Sequence, residues 1–276
     1  MVPSLSVIVP AYNEAARLGQ SLRTILQYLQ TCDAETELIV VDDGSTDGTP
    51  AVAEEAFAHA AGVSTRLIWY HPNRGKGHAV RTGLLSARAP VALFSDADLS
   101  TPIDEAPALL ELLAQDQCDI AFGSRALESS LIGLRQPWGR ELGGRIFNRI
   151  VRLATGLDAL DTQCGFKAFR MSTCRPVIES ARLERFAFDV ELLYLAHMAG
   201  LRIRECPVQW DHCEGSKISF MRDSMRMFQE VISLRRRVRK GAYRPAIEQA
   251  RRKAVSVRLR GARGQSSIRR LAKAAY

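Results

Sequence analysis

The sequence is poor in several features that define whole classes of protein. Six of its 276 residues are cysteine (Cys32, Cys118, Cys164, Cys174, Cys206, Cys213), and no two form a Cys-x-x-Cys pair. That spacing excludes a zinc ribbon, and the low count excludes a disulfide scaffold, so reduced thiols in a cytosolic chain are expected. No window approaches the ~18 consecutive apolar residues that cross a bilayer. Met1 to Ala11 also lacks the basic and apolar regions of a signal peptide. With 46% hydrophobic and 25% charged residues, the chain has globular rather than disordered composition, and its length suits one large α/β domain.

Acidic residues are almost missing from one end. From Arg235 to Tyr276 there are 15 Lys and Arg against one acid, Glu248, a charge of +14. The preceding residues are mildly acidic at −6, and the whole-chain value of +8 describes neither part. Such a tail attracts phosphate-bearing surfaces. With only Tyr243 and Tyr276 it has no aromatic platform on which bases could stack, so nucleic acid is not the expected partner.

Short β-branched runs alternate with helical patterns over the first 125 residues. Strands are predicted at Leu5 to Pro10, Glu37 to Val41, Thr65 to Tyr70, Val91 to Phe94 and Asp119 to Phe122. The fold class is therefore α/β, with a mostly parallel, Rossmann-like central sheet flanked by helices. Leu18, Leu22, Ile25, Leu26 and Leu29 recur at helical spacing, as do Val80, Leu84 and Leu85; both stripes are predicted to be core. Beyond Trp138 the pattern predicts a helix over Gly139 to Thr155, a strand over Gly165 to Arg170, a helix over Asp189 to Ala199 and a strand over Arg202 to Trp210. These extend the first domain, being too few for a second core. The expected division is a catalytic domain over 1–218, an amphipathic helix over 219–240 and a flexible basic tail over 241–276.

Polar residues cluster where strands end, and in an open α/β sheet ligands bind outside the carboxyl ends of strands, so these clusters describe one site. The Asp96-Ala97-Asp98 pair presents hard oxygens to a divalent cation that completes its shell with water and phosphate, as Mg²⁺ or Mn²⁺ does. A solvated turn is the plainer reading of such a pair. Asp42 and Asp43, in Val41-Asp42-Asp43-Gly44-Ser45, suit the N–H groups of a base or the hydroxyls of a ribose, although a capped turn before the next helix accounts for them equally. Asn73-Arg74-Gly75-Lys76-Gly77 offers backbone and cations at a helix start, which suits a diphosphate. The spacing of a Walker loop is absent.

Taken in order, Ser6 to Glu14 (Ser-Val-Ile-Val-Pro-Ala-Tyr-Asn-Glu), Val41 to Thr49, Asn73 to Gly77, Asp96 to Asp98, Gly123-Ser124-Arg125 and Asp161 to Lys167 (Asp-Thr-Gln-Cys-Gly-Phe-Lys) resemble the GT-A glycosyltransferases of family 2. Within that family they resemble the dolichyl-phosphate and polyprenyl-phosphate glycosyltransferases, over about Leu5 to Lys217. The resemblance implies a nucleotide-sugar donor, a divalent metal, Mg²⁺ or Mn²⁺, and a polyprenyl phosphate acceptor, with inversion at the anomeric carbon. It further implies that Pro10, Tyr12, Glu14 and Asp42 or Asp43 hold the nucleoside, that Lys76 lies near it, and that Asp96 and Asp98 bind the metal. Arg125, Arg140 and Lys217 are the cations expected around the acceptor phosphate or the diphosphate, with surface ion pairing as the alternative. Asp189 matches a helix on which relatives carry a functional acid, or else it caps that helix.

Two departures separate this chain from mannose-transferring relatives. Leu99 and Ser100 follow Asp98 where those relatives continue to a Gln, and His212 precedes Gly215-Ser216-Lys217 where they carry an Arg. Both resemble the glucosyl branch, so UDP-glucose is the expected donor. An alternative enzyme would use a saccharide acceptor and need a general base such as Asp189. A non-catalytic nucleotide-binding scaffold would not need both Asp96 and Asp98. A sugar nucleotidyltransferase is disfavoured for want of a Gly-rich N-terminal loop. Many relatives carry membrane anchors; here the 219–240 helix and the basic tail are expected to dock a cytoplasmic enzyme peripherally on the inner, anionic face of a membrane, the alternative being that the helix packs on the catalytic domain and the rest is a solvated tail.

Overall fold

Leu5–Ala11 (β1) and Thr36–Asp42 (β2) are buried along their whole length, as expected of strands covered on both faces. Alternate residues serve opposite layers: Ile8, Ile39 and Val41 join one core cluster, while Val7, Val9, Leu38 and Val40 join the other. The computed structural model describes residues 2–127, 138–211 and 220–260. Within them, β1 and β2 lie in a seven-stranded sheet with Ser64–Trp69 (β3), Val91–Ser95 (β4), Ile120–Ser124 (β5), Phe166–Arg170 (β6) and Ile203–Pro207 (β7), in the order β3-β2-β1-β4-β6-β5-β7. Only β6 runs antiparallel to its neighbours β4 and β5, so the other six strands end at one edge.

Helices cover both faces. Ala15–Thr31 (α1), Thr49–Phe57 (α2) and, after a single 3-10 turn, Ala106–Ala114 (α4) pack on one side, with Leu18, Leu22, Ile25, Leu26 and Leu29 buried as their spacing predicts. Lys76–Ser86 (α3), Trp138–Thr155 (α5), Met171–Ser180 (α6), Phe188–Met198 (α7), Phe220–Arg239 (α8) and Arg244–Arg260 (α9) contribute to the other. In α3, Val80 and Leu84 are fully buried and Leu85 packs at the margin.

The C-terminal third departs from expectation. Residues 244–260, predicted as part of a flexible tail, form α9, whose Ala250 and Ala254 are buried against α6 and α7. Its basic residues mask this from a composition reading, because only a narrow stripe, Ile247, Ala250 and Ala254, faces the core. Likewise α8 turns Val231, Leu234 and Val238 into that core, so this part of its apolar face is not presented outward. Removing each such side chain from water contributes about 1.5–3 kcal/mol. Tyr243, in the turn between α8 and α9, is 1% exposed and donates its hydroxyl to Glu191 Oε1 at 2.7 Å. At the other end of α9, Arg258 reaches the buried Asp119 at 3.5 Å and the Gly200 carbonyl at 3.1 Å. The tail beyond residue 260 lies outside the described residues.

Candidate active site

At the end of β2, Asp42 and Asp43 are both 2% exposed, and both carboxylates hold loops. Asp42 accepts the Ser45 N–H at 3.2 Å and the Ser45 hydroxyl. Asp43 accepts the N–H groups of Arg74 (2.9 Å) and Gly75 (2.7 Å) and the Asn73 amide (2.7 Å), fastening the β3–α3 loop beside its own. Pro10 is buried in β1 one residue before its end. Tyr12, just beyond, is 38% exposed. Asn13 adopts a left-handed φ of 55° and accepts the Thr46 N–H at 2.8 Å, which stabilises a conformation most residues avoid.

Glu14 follows, accepting from Arg17 Nε and, at 2.9 Å, from one terminal guanidinium nitrogen. Arg17 also lies 3.9 Å from Asp98 Oδ2. It therefore links the β1 end to the Asp-x-Asp turn, a role that no motif signalled because Arg17 is an ordinary polar position off the apolar stripe of α1. Gly75, with a φ of 114°, lets the chain enter α3 against the Glu184 carbonyl, which a Cβ would meet at 2.5 Å. Lys76 is consequently the first residue of α3, and its ammonium stands 2.6 Å from Asp96 Oδ1, off the hydrogen-bonding direction, in a charge–charge contact.

Asp96 and Asp98 lie just past β4, both partly exposed. Leu99 adopts a left-handed φ of 49° immediately afterwards; for a bulky side chain this stores about 1–3 kcal/mol of backbone strain, held where the two carboxylates are presented. On its other side Asp96 meets Gly165: its N–H donates to the Gly165 carbonyl at 3.1 Å. A Cβ at residue 165 would lie 2.0 Å from Asp96 Oδ2.

Behind this pair lies a second, buried one. Lys167, in β6, is fully buried, bonds the Cys164 carbonyl and sits 2.6 Å from Asp189 Oδ1. Asp189 is in the first turn of α7, inside the helix rather than at its N-cap, which is Ala187, so the capping alternative does not hold. Burial raises the Asp189 pKa, with Lys167 and Lys76 opposing. Burial would lower that of Lys76, but Asp96, Asp189 and Asp98 together raise it, so the ammonium stays charged among three carboxylates.

Arg125, after β5, is committed in part. Its Nε and one terminal nitrogen grip Asp161 at 2.6 and 2.8 Å, and the guanidinium lies 5.4 Å from the Trp210 ring centroid. Burial would raise the Asp161 pKa, yet the Arg125 pair and Lys167 bring it below the ordinary carboxylate value. Arg140 is on α5 with its side chain outside the described ones, and Lys217 lies outside the described residues. The structure thus gathers Asp96, Asp98, Lys76 and Asp189 into one cluster, with Tyr12, Glu14, Asp42 and Asp43 along the adjoining strand ends. Among the described residues, no three His, Cys, Asp or Glu side chains meet as a metal cage.

The sequence model described as glycosyl transferase family 2 matches residues 6–177, more than half of the chain and every strand end named above except that of β7. The chain belongs to this family. The family 2 enzyme is 40% identical over 260 residues to the dolichyl-phosphate beta-glucosyltransferase of Drosophila melanogaster, covering 90% of this chain and 79% of that one. It is 37% identical over 259 residues to the human protein of that name, with the same coverage. Among solved structures it resembles glucosyl-3-phosphoglycerate synthase of Mycobacterium tuberculosis in complex with Mn²⁺, UDP and glucosyl-3-phosphoglycerate, with a TM-score of 0.57 at 18% identity over 84% of this chain and 78% of that one. That likeness bears on the fold, and the enzyme is a GT-A glycosyltransferase, as its motifs predict.

Proposed function

We propose that this glycosyltransferase moves glucose from UDP-glucose to dolichyl or another polyprenyl phosphate, with inversion at the anomeric carbon. The observation that carries this reading is the cluster of Asp96, Asp98 and Lys76 at the strand edge, in a chain whose relatives are named for glucose transfer to dolichyl phosphate.

Tyr12 would stack on the nucleobase, with Pro10 beneath the strand end. Asp42 and Asp43 shape the loops around the nucleoside, and Glu14 sits at their margin. Asp96 and Asp98 fit a Mg²⁺ or Mn²⁺ ion: they supply two hard carboxylates and no full cage, leaving the other positions to water and diphosphate. The Lys76 ammonium already marks a place for positive charge at Asp96 Oδ1. When bound, the ion would supply Lewis-acid stabilisation of the leaving diphosphate. Lys76 adds a fixed cation where negative charge develops.

An acceptor phosphate is anionic near neutral pH and attacks without a general base. Burial raises the proton affinity of Asp189, but the carboxylate is paired to Lys167 and faces Lys76, and a proton taken there would weaken both interactions. This favours a phosphate over a saccharide acceptor. Arg125 keeps guanidinium N–H groups beyond those bound to Asp161 and would orient the acceptor phosphate with Arg140 and Lys217.

For membrane access we place the enzyme peripherally on the inner, cytoplasmic face of an anionic membrane, and the structure shifts the candidate contact. No helix among the described residues is long and apolar enough to cross a bilayer. With Val231, Leu234 and Val238 packed inward, the exposed apolar residues of the helices from α5 onward include Val255 and Leu259 on α9, and Ile146 and Leu153 on α5 with Met225 on the adjoining α8; we take the α5 pair, beside exposed Arg149 and Arg152, as the candidate contact. Incubation with a panel of radiolabelled nucleotide sugars and dolichyl phosphate tests the reaction: label should enter extracted lipid from UDP-glucose, and preference for GDP-mannose would overturn the donor assignment. Salt-sensitive sedimentation with anionic vesicles, weakened by Ile146→Ser with Leu153→Ser, tests the surface; unchanged binding by that variant would remove α5 from it.

A further inference from the structure

We infer that Lys76 is an internal counter-ion of the metal site, which makes binding of the dication depend on the nucleotide diphosphate. The inference rests on the site assignment above and concerns how that site fills. The Asp96 carboxylate is bounded on one side by the bare backbone of Gly165 and on the other by the Lys76 ammonium, 2.6 Å from Oδ1. Gly165 leaves it little room to turn away. Lys76 has little freedom at its backbone either, since it opens α3 directly after a glycine wedged against the Glu184 carbonyl and tied through its N–H to Asp43.

A dication on Asp96 and Asp98 would stand beside that ammonium, and like charges in a partly buried site repel. The ammonium must swing off Asp96 for the ion to engage Oδ1 fully. Another carboxylate acting on it is Asp189, which is already ion-paired to Lys167, 2.6 Å from its Oδ1. A diphosphate resolves the conflict, because it offers anionic oxygens both to the ion and to the released lysine. Metal and diphosphate then bind with positive coupling, and each raises the affinity for the other by the same factor. Lys76 also keeps Asp96, Asp98 and Asp189 from repelling one another before the ligands arrive. It acts here as a coupling residue in addition to any contact with the leaving group.

The test uses the full chain and free Mn²⁺ measured by its electron paramagnetic resonance signal, with and without UDP, in the wild type, Lys76→Met and Lys76→Arg. The wild type should bind Mn²⁺ weakly alone and at least about tenfold more tightly with UDP. Lys76→Met should bind Mn²⁺ alone about tenfold more tightly than the wild type and lose most of the UDP enhancement; Lys76→Arg should resemble the wild type. Circular dichroism and thermal melting check that the variants fold; should Lys76→Met fail to do so, Lys76→Gln supplies the uncharged comparison, and a loss of coupling in Lys76→Arg would overturn the inference. If UDP enhances Mn²⁺ binding equally in the wild type and Lys76→Met, the inference falls while the site assignment stands. If no protein binds Mn²⁺ even with UDP, both fall.

Discussion

Gly165 and Asp96 are in contact so close that residue 165 can have no side chain: a Cβ there would lie 2.0 Å from Asp96 Oδ2 and 2.3 Å from its carboxyl carbon. The antiparallel strand β6 thus begins against the carboxylate presented by its neighbour β4. A reversed strand inside an otherwise parallel sheet brings the residues before it to the edge where the parallel strands end. That is how Gly165, 69 positions from Asp96, comes to set its orientation.

Gly165→Ala should therefore rotate Asp96 and lower transfer by at least about 100-fold, since an ångström of misplacement at a reacting centre has effects of that size. Overpacking at one edge position should destabilise the fold by only about 1–3 kcal/mol. Initial rates beside thermal melts separate the two; a full rate in a folded variant would remove Asp96 from the machinery.

Lys167 and Asp189 form a pair in which neither member tolerates the loss of the other. Lys167→Met should cost about 3–5 kcal/mol by leaving a buried carboxylate uncompensated, and adding Asp189→Asn should restore part of it. Urea denaturation of both single variants and the double variant gives the coupling energy. Additive effects would show that the two charges do not interact.

The α8–α9 turn is fastened by Tyr243, and Tyr243→Phe should cost about 1–3 kcal/mol by withdrawing one of the hydrogen bonds to the buried Glu191. Ending the chain after Arg239 removes that bond, the packing of Ala250 and Ala254 and the Arg258 contact together. Such a chain should melt well below one that ends after Arg260. Equal melting temperatures would mean that α9 is dispensable.

Acid sensitivity has an identifiable source in Glu37. Its side chain is fully buried, and burial would raise its pKa, but the Ser6 hydroxyl, the Arg88 backbone and side chain, and Arg66 together lower it. A depressed folded pKa stabilises the protein above the unfolded value, about 4.3 for Glu, and that contribution disappears as pH falls through the lower folded value. Glu37→Gln should weaken the protein near pH 7 and flatten its stability below about pH 4.3. Urea midpoints across that range provide the check; an unchanged acid limb would place its origin elsewhere, Asp161 being the next candidate.

All seven strands were legible within about two residues at each end except the far end of β7, because β-branched runs bounded by turns need only local pattern. Asp42, Asp43, Asp96 and Asp98 were legible as strand-end clusters for the same reason. Arg17 and Gly165 were not assigned roles, since each matters through a residue distant in sequence. Asp189 was readable as an acid near a helix start, but its pairing with Lys167 on β6 is a tertiary contact, which periodicity does not encode. The helix α9 was hidden by its charge: seventeen residues with a mean composition resembling a tail still bury a narrow stripe. The apolar face of α8 was legible as a stripe that meets either a membrane or the catalytic domain, and burial of Val231, Leu234 and Val238 selects the second for that part of it, a choice sequence alone does not make.

If Asp96 and Asp98 serve glucose transfer to a lipid phosphate, transfer must depend on both the Asp98 carboxylate and a divalent ion. Purified protein is incubated with UDP-[¹⁴C]glucose, Mg²⁺ and dolichyl phosphate, and label in the organic phase is counted for the wild type and for Asp98→Asn, each with and without chelator. The account predicts labelled lipid from the wild type with Mg²⁺, and loss of at least about 100-fold in Asp98→Asn or with chelator. Equal transfer by Asp98→Asn, or undiminished transfer in chelator, would contradict it.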